Sequence, residues 1–600
     1  MQKETVKRKA ALFGLIILML YTNFITLQAS CHVARRLLMT KPAYILCNLL
    51  LLTAVYCVIA SFSLTPWITG VIFSTACAVW ALVNNYVYAL HGQVFTMAEI
   101  SNAKTALHVM DTTLLLKKTP LIFGTAVLII YGFSIVLCYL QKRVVAGEEK
   151  LSGRKAVICR IALLLAGGCM LWVMSFPAKN LQNVILRDWT SRNTCIEEGY
   201  PLYVYANVFL NNIKITQPDG YDEELLTDYE DYKDDKEGAG EELPDIILIL
   251  NESFYDLSIL CDLQTDVPYM ENYYSMDNAI RGNAVTSVIG GATNRSEFEL
   301  LTSNTNYLLG ELTPFNVLDM TCTSSIVTNL KECGYYTMAA HPADGGNYNR
   351  IESYSAMGFD ERFFKDDFEN YMYYGKREWM TDEGAYHNLT TWYESRKADH
   401  DKIFSYMLTM QNHGDYMMND EEEALVHVSG YSGDLEKELN EYLSCVRLSD
   451  IAFKELTEYY SGKEQPVIIC MVGDHAPNFI REVAEIDSPK QEILARATPF
   501  IIWANYDIDS EDMGVISVNG LVPLLLEKAG VEMMPYYHYM NRMREEVPVT
   551  GSFGMVMDAE GEIFSYYDDM RYSDMVWKYL YLSYNNLQEE SVQGWFHLDH

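Results

Sequence analysis

DIILILNES, Asp245–Ser253, places an unbroken apolar run directly ahead of Asn251, Glu252 and Ser253. Apolar residues without alternation suit a strand covered on both faces, as in a parallel sheet flanked by helices. The pattern recurs at Tyr335–Ala340 (YYTMAA), Phe404–Met410 (FSYMLTM), Val467–Val472 (VIICMV) and Phe500–Ala504 (FIIWA). Longer polar or amphipathic stretches separate these runs, and helices are expected over Leu435–Tyr460 and Val518–Ala529. Strands alternating with helices predict an α/β domain over residues 244–600.

Polar residues follow each run at once. DIILIL leads into Glu252, YYTMAA into His341, FSYMLTM into His413, and VIICMV into Asp474 and His475. Ligands bind at the carboxyl ends of the strands in open α/β sheets, so four strands deliver these side chains to one rim. Taken singly, an acid after a strand is a helix cap and a histidine is an ordinary buried or surface residue. Two carboxylates and an imidazole without thiolate form a donor set for Mn²⁺, Mg²⁺ or Zn²⁺. Three protein ligands leave a position for a reacting group, where a hydroxyl is activated as a nucleophile. Gly290-Gly291-Ala292-Thr293-Asn294-Arg295-Ser296-Glu297-Phe298 offers that hydroxyl. Its glycines let backbone approach an anion closely, EFELL (297–301) reads as the start of a helix, and Thr293 at the turn into it sits near an N-terminus that favours negative charge. The competing reading of Thr293 is an ordinary helix cap. Asn294-Arg295-Ser296 is formally a glycosylation sequon, and it is read as coincidental because a glycan there would block the pocket.

Upstream the texture is different. Residues 1–180 carry 17 Lys and Arg against 5 Asp and Glu, whereas residues 181–600 carry 28 against 75, giving the chain its net charge of −35. Phosphate recognition needs clustered Lys and Arg, so this acidic chain is not expected to bind nucleic acid. Five apolar runs, Ala10–Ser30, Ala43–Ser63, Trp67–Leu90, Pro120–Leu140 and Ala156–Phe176, each reach the length of about 20 residues that a bilayer requires. Four further spans after the first, and no small-residue cleavage site, argue against a signal peptide. Met1–Lys9 and Gln141–Lys155 carry 4 and 5 basic residues, and Cys31–Pro42 and His91–Thr119 carry 3 each. The bias predicts a multi-pass protein of the cell membrane with a cytoplasmic N-terminus and everything after about residue 177 outside. Asp219–Glu242 (DGYDEELLTDYEDYKDDKEGAGEE) reads as solvated, so residues 181–243 are expected to be an acidic linker. Six cysteines follow residue 180 without a C-x-x-C pair, which fits neither a disulfide scaffold nor a zinc site.

The blocks ILNESFYD (249–256), GGATNRSEFELLT (290–302), HPADGGNYNR (341–350), MQNHGDY (410–416) and GDHAP (473–477), in that order, resemble the extracellular domain of the lipoteichoic acid synthase family. These are phosphoglycerol transferases of the alkaline phosphatase–sulfatase superfamily. The five spans, with a loop after the third (NNYVYALHGQVFTMAEISNAKTALHVMD), are also similar to that family. The resemblance implies a five-helix transmembrane domain (1–180), the linker, and an extracellular α/β sulfatase-like, alkaline phosphatase-like catalytic domain (244–600). It implies Glu252, Asp474 and His475 as Mn²⁺ ligands, with Mg²⁺ or Zn²⁺ as substitutes, and Thr293 as both ligand and nucleophile. It places His413, Arg350, His341 and Tyr348 around the phosphoglycerol head group. Tyr348 stands where the family often has tryptophan, and Leu250 where some members have a histidine. The donor implied is phosphatidylglycerol, and the acceptor is a lipid-linked one, a glycolipid or a polyglycerolphosphate chain.

Four other readings share this fold: a sulfatase, a plain phosphodiester hydrolase, a phosphoethanolamine transferase and a non-catalytic relative. A sulfatase usually carries its Cys or Ser nucleophile in a C/S-x-P-x-R setting, and Thr293-Asn-Arg-Ser departs from it. Phosphoethanolamine transferases use a threonine but have disulfide-rich ectodomains. A non-catalytic membrane-anchored relative would be favoured by loss of a ligand, and all four candidates are present.

Overall fold

The computed structural model describes residues 2–31, 40–91, 94–95, 118–147, 151–185, 195–210, 215, 217–233, 243–310, 312–565, 572–588 and 591–598. Most of the loop after the third span and residues 234–242 of the acidic segment lie outside the described residues. The chain divides into two units, Met1–Lys214 and Ile215–His600.

In the first unit, helices α1 (Gln2–Ala29), α2 (Pro42–Ser63), α3 (Pro66–His91), α4 (Lys118–Val144) and α5 (Gly153–Ile185) contain the five expected spans. Proline opens α2 and α3, where its missing N–H is no loss. α1 packs against α3 and α4, and α2 against α5. Polar side chains fasten the helices to one another where lipid offers no partner. Asn23 Nδ2 donates to Ser74 Oγ at 2.9 Å, and Asn84 Nδ2 to Ser30 Oγ at 2.8 Å. A tyrosine-rich helix, α6 (Tyr200–Leu210), follows and is held by Gln28 and Asn48, which accept from the Tyr200 and Leu202 amides at 2.9 and 2.8 Å.

The second unit is built on an eight-stranded sheet. In chain order its strands are β1 (Asp245–Asn251), β2 (Ala279–Val285), β3 (Tyr336–Ala340), β4 (Glu361–Phe363), β5 (Ile403–Leu408), β6 (Val467–Gly473), β7 (Ala497–Ala504) and β8 (Glu511–Ser517). The spatial order is β8-β2-β7-β6-β1-β5-β3-β4. β7 pairs antiparallel with both neighbours, and the other pairings are parallel. β1, β5, β6 and β7 are buried along their whole length. The expectation of a parallel sheet thus holds at its centre and fails at β7, whose apolar run reports burial on two faces and carries no information on direction. The long helix expected over Leu435–Tyr460 spans Asp434–Ser461, and that expected over Val518–Ala529 spans Leu521–Ala529.

The acidic segment departs from its reading as free linker. Residues 217–233 include two short 3₁₀ turns in the second unit. Leu226 is fully buried, its carbonyl accepts from Trp595 Nε1 at 2.7 Å, and Tyr221 packs edge-on against Tyr584. A few apolar anchors outweigh the solvation of the charges between them.

Candidate metal centre and nucleophile

The site begins where β1 and β6 end. They run parallel in a register that pairs Asn251 with Gly473, so the next residues, Glu252 and Asp474, emerge side by side. The Asp474 amide donates to the Asn251 carbonyl at 3.1 Å, and Asp474 Oδ1 accepts from the Ser253 amide at 2.7 Å. A side chain at position 473 would overlap the Phe254 carbonyl oxygen, so the close approach of the two turns requires glycine. Glu252, Asp474 and His475 are 3%, 0% and 3% exposed. Among the described residues they form a group whose ligand atoms all lie within 4.8 Å of one another.

His475 Nδ1 lies 3.0 Å from the Ala476 carbonyl oxygen. A carbonyl only accepts, so Nδ1 carries the proton and Nε2 presents its lone pair. Nε2 is 3.2 Å from Asp474 Oδ2 and 3.6 Å from Glu252 Oε1, yet neither Nε2 nor Oδ2 has a hydrogen-bond partner. Buried acceptors that face one another without a proton between them are what a cation satisfies. Burial first, and the Asp474 charge second, push the Glu252 carboxyl up to about 8, a penalty that a bound cation would reverse. The residues present therefore fit a divalent cation held by two carboxylates and an imidazole.

Thr293 reaches this trio through an unusual turn. Gly290, Gly291 and Ala292 take positive φ values of 70°, 139° and 60° in succession and start helix α7, Thr293–Thr302. Two bonds fix the turn. The Gly290 amide donates to the Ala476 carbonyl at 2.9 Å, and Ser296 Oγ, one turn into α7, donates to the Asp474 carbonyl at 2.6 Å. Thr293 is 8% exposed, and its hydroxyl donates to Glu252 Oε2 at 3.5 Å. Asn294 is fully buried, which closes the sequon to a glycan in the folded protein, and both of its amide atoms lack a hydrogen-bond partner.

The expected head-group residues form a second cluster. Arg350 opens helix α8, Arg350–Met357, and its Nε donates to Glu297 Oε2 at 3.0 Å, both side chains being buried. Burial by itself would lower the guanidinium pKa, and the Glu297 carboxylate more than offsets that and holds it above its usual value. Arg350 Nη1 lies 3.4 Å from His341 Nε2, and His341 Nδ1 lies 3.2 Å from the Leu408 carbonyl oxygen. Nδ1 is thus the donor and Nε2 the acceptor. Burial and then the Arg350 charge hold His341 well below the usual imidazole range, so the ring is neutral. Tyr348 carries a positive φ of 54° and sets its ring 5.1 Å from the Arg350 guanidinium. His413 Nδ1 donates to the Gly414 carbonyl at 2.6 Å, its ring packs 4.6 Å from Trp379, and burial lowers its pKa. The Arg350 charge also acts on Glu252, and the Asp474 charge on His413, which puts the two clusters within electrostatic reach of each other.

Several residues of the site carry no local sequence signal. Glu297 also accepts from the Tyr354 hydroxyl and, at 3.3 Å, from Tyr406. Arg377 pairs with Glu441 at 2.7 Å and donates to the carbonyls of Gln411, His413 and Asp415, fixing the loop that carries His413. Tyr354 follows Arg350 at the i, i+4 spacing of one helix face, a cue that needs the helix Arg350–Met357 to be known first.

Residues 244–531 match the sulfatase family. A putative cyclic beta-1,2-glucan modification protein of Rhizobium meliloti (strain 1021) is 29% identical over 311 residues, covering 49% of this chain and 47% of that protein. An uncharacterized protein of Haemophilus influenzae is 23% identical over 303 residues, covering 49% and 54%. The chain spans about half the length of the curated relatives it matches. Among solved structures, the Streptococcus pyogenes phosphoglycerol transferase GacH in complex with sn-glycerol-1-phosphate is similar at a TM-score of 0.49 and 19% identity, over 62% of this chain and 95% of that one. The Neisseria meningitidis lipooligosaccharide phosphoethanolamine transferase A is similar at a TM-score of 0.48 and 11% identity, over 86% and 94%.

Proposed function

We propose, on the premise that residues 244–531 are a sulfatase-family domain following five helices long and apolar enough to cross a membrane, that this protein is a metal-dependent phosphoglycerol transferase. It moves glycerophosphate from phosphatidylglycerol to a glycolipid or polyglycerolphosphate acceptor outside the cell. The observation that carries the reading is the Thr293 hydroxyl, 3.5 Å from Glu252 Oε2, at a helix start fastened to the buried Glu252–Asp474–His475 trio.

The reaction is a double displacement. Thr293 Oγ attacks the donor phosphorus, a new P–O bond forms, and the bond to diacylglycerol breaks, releasing diacylglycerol with the proton. An acceptor hydroxyl then attacks the glycerophospho-Thr293 phosphorus, and Thr293 regains its proton as the P–Oγ bond breaks. A divalent cation bound by the trio, Mn²⁺ with Mg²⁺ or Zn²⁺ as substitutes, would supply Lewis-acid neutralisation of phosphoryl charge. The protein's own groups do the rest. The α7 N-terminus favours the negative charge that develops beside Thr293. Arg350 offers a fixed guanidinium for a phosphoryl oxygen. His341 and His413, both neutral, suit the hydroxyls of glycerol. Glu297, the carboxylate paired with Arg350, already accepts from three side chains, which disfavours an ammonium head group there. Cys261, Cys322, Cys333, Cys445 and Cys470 of the second unit form no disulfide, unlike the cysteines of a disulfide-rich ectodomain.

The reading is tested with purified full-length protein, Mn²⁺ and a panel of phosphatidylglycerol, phosphatidylethanolamine and a sulfate ester. Diacylglycerol release from phosphatidylglycerol, with added glycerophosphate on Thr293 by mass spectrometry, is the expected result. Thr293→Ala should lower turnover by at least about 10⁴-fold. Turnover that survives Thr293→Ala removes the covalent route, and release from phosphatidylethanolamine alone replaces the donor. The name of the Rhizobium relative brings in a glucan as a further acceptor, so soluble glucan belongs in the acceptor arm beside glycolipid.

A further inference from the structure

At one end of the helical unit, a cavity of about 450 Å³ is lined by Arg8 and Leu15 of α1 and by Leu140, Arg143, Val144 and Ala146 at and just past the end of α4. Its two walls differ along the helix axis. Arg8 and Leu15 are seven residues apart, so at 1.5 Å per residue the cavity runs about 10 Å from a charged mouth to an apolar floor. Interfacial aromatics mark the level of that mouth. Trp67, in the first turn of α3, lies 4.9 Å beneath the Lys142 ammonium, and the Tyr139 hydroxyl takes Nε and Nη2 of Arg143 at 3.2 and 3.1 Å. The second contact fixes the Arg143 guanidinium plane instead of leaving the side chain to sweep through solvent. Among the described residues the lining carries two guanidiniums, and Glu4 lies 3.9 Å from Arg8 on an exposed turn, so the cavity mouth is cationic.

We propose that this cavity is a binding site for one anionic phospholipid, its phosphodiester between Arg8 and Arg143 and the start of an acyl chain against Leu15, Leu140 and Val144. Charge and shape commit the site to that occupant. A free phosphate has no use for the apolar floor, and a zwitterionic choline lipid brings an ammonium to a mouth already cationic. The lipid is not the one being consumed. The cavity lies at the end of the unit where α1 and α5 begin, whereas residues 195–210, from which the chain leaves this unit, pack against the opposite ends of α1 and α2 through Gln28 and Asn48. None of the residues proposed to act with Thr293 lines this cavity, so the site is structural or regulatory and independent of that chemistry.

Full-length protein in lipid nanodiscs, treated with a photoactivatable phosphatidylglycerol and its phosphatidylcholine counterpart, tests this. The expected result is crosslinking by the anionic probe alone to peptides covering residues 2–18 and 136–147. Each basic side chain near a lipid surface is worth roughly fivefold in affinity, so Arg8→Ala with Arg143→Ala should lower that labelling by about twentyfold. Labelling within about threefold of wild type is expected for Arg8→Lys with Arg143→Lys, a pair that guards against misfolding of the alanine variant. The catalytic residues are intact in every variant, so lipid bound there cancels in the comparison. Equal labelling by the choline probe, unchanged labelling in the alanine variant, or full displacement by inorganic phosphate would overturn the proposal.

Discussion

The two clusters at the carboxyl end of the sheet solve the problem of burying charge in opposite ways. Around Arg350, donors meet acceptors: Glu297 takes Arg350, Tyr354 and Tyr406, while His341 takes Arg350 and gives to Leu408. Around Glu252, acceptors meet acceptors: Asp474 Oδ2 and His475 Nε2 stand 3.2 Å apart with no hydrogen between them. The first cluster is complete as protein and holds a shape. The second is incomplete as protein and has the donor set of a cation site. A converging set of unsatisfied buried acceptors is what a cation site needs, and a satisfied set is what a rigid framework needs.

That contrast predicts different failures. Asp474→Asn should abolish turnover and weaken Mn²⁺ binding beyond the 10–100-fold typical of an outer-shell change, by calorimetric titration. In EDTA the same variant should melt no lower than wild type, because it relieves repulsion on Glu252. A lower apo melting temperature would show that the trio is held together without a cation. Glu297→Gln should do the reverse, leaving Mn²⁺ affinity within a few-fold while costing about 3–5 kcal/mol of unfolding free energy, because the buried Arg350 charge loses its partner. Chemical denaturation reads this directly, and a loss below about 1 kcal/mol would deny that the pair is structural.

A pH series separates the clusters further. His341 is neutral in the fold because burial and Arg350 depress its pKa, while the unfolded chain titrates near the ordinary value of about 6.5. The unfolded state thus binds the extra proton below that value, and stability falls as pH drops through the window beneath it. Replacing His341 by Gln should flatten the decline between about pH 6.5 and 5, by up to about 1.4 kcal/mol per pH unit. An unchanged slope would locate the titration elsewhere, His413 being the next candidate since burial lowers it too. The smallest effect expected is that of Ser296→Ala, which removes one bond to the Asp474 carbonyl. About 1 kcal/mol of stability should go, together with a turnover loss larger than that energy explains, since the bond sets where α7 presents Thr293.

Local pattern and long-range pairing divide what was legible in the sequence. β1 and β6 were readable because their apolar runs are unbroken, and β5 because Ser405 alone interrupts its run. β2, AIRGNAV, was not, since Arg281, Gly282 and Asn283 break the run. In the fold Arg281 Nε donates to the Tyr273 carbonyl at 2.7 Å, and Gly282 lets Phe500 and the Gly514 carbonyl close on the backbone. β8 was hidden by its exposed first half, and the direction of β7 by the symmetry of burial on two faces. At the site, residues that directly follow apolar strands, Glu252, Asp474 and His475, were found by position alone. Glu297 was not, because its meaning lies in Arg350, 53 positions away on another helix, in Tyr354 of that same helix and in Tyr406 of β5. The GGAT turn was visible as composition, but its path of three successive positive φ values was not.

The pairing of β1 with β6 has a mechanical side. Ser253 and Asp474 touch across 221 positions of chain, and the coordinating side chains sit on the same two turns. A cation gripping them would act as a staple within the second unit, closing a loop of 221 residues at a single point. Chelation should then register as a drop in the cooperative melting of the second unit and in its resistance to protease, with no one segment loosening ahead of the others.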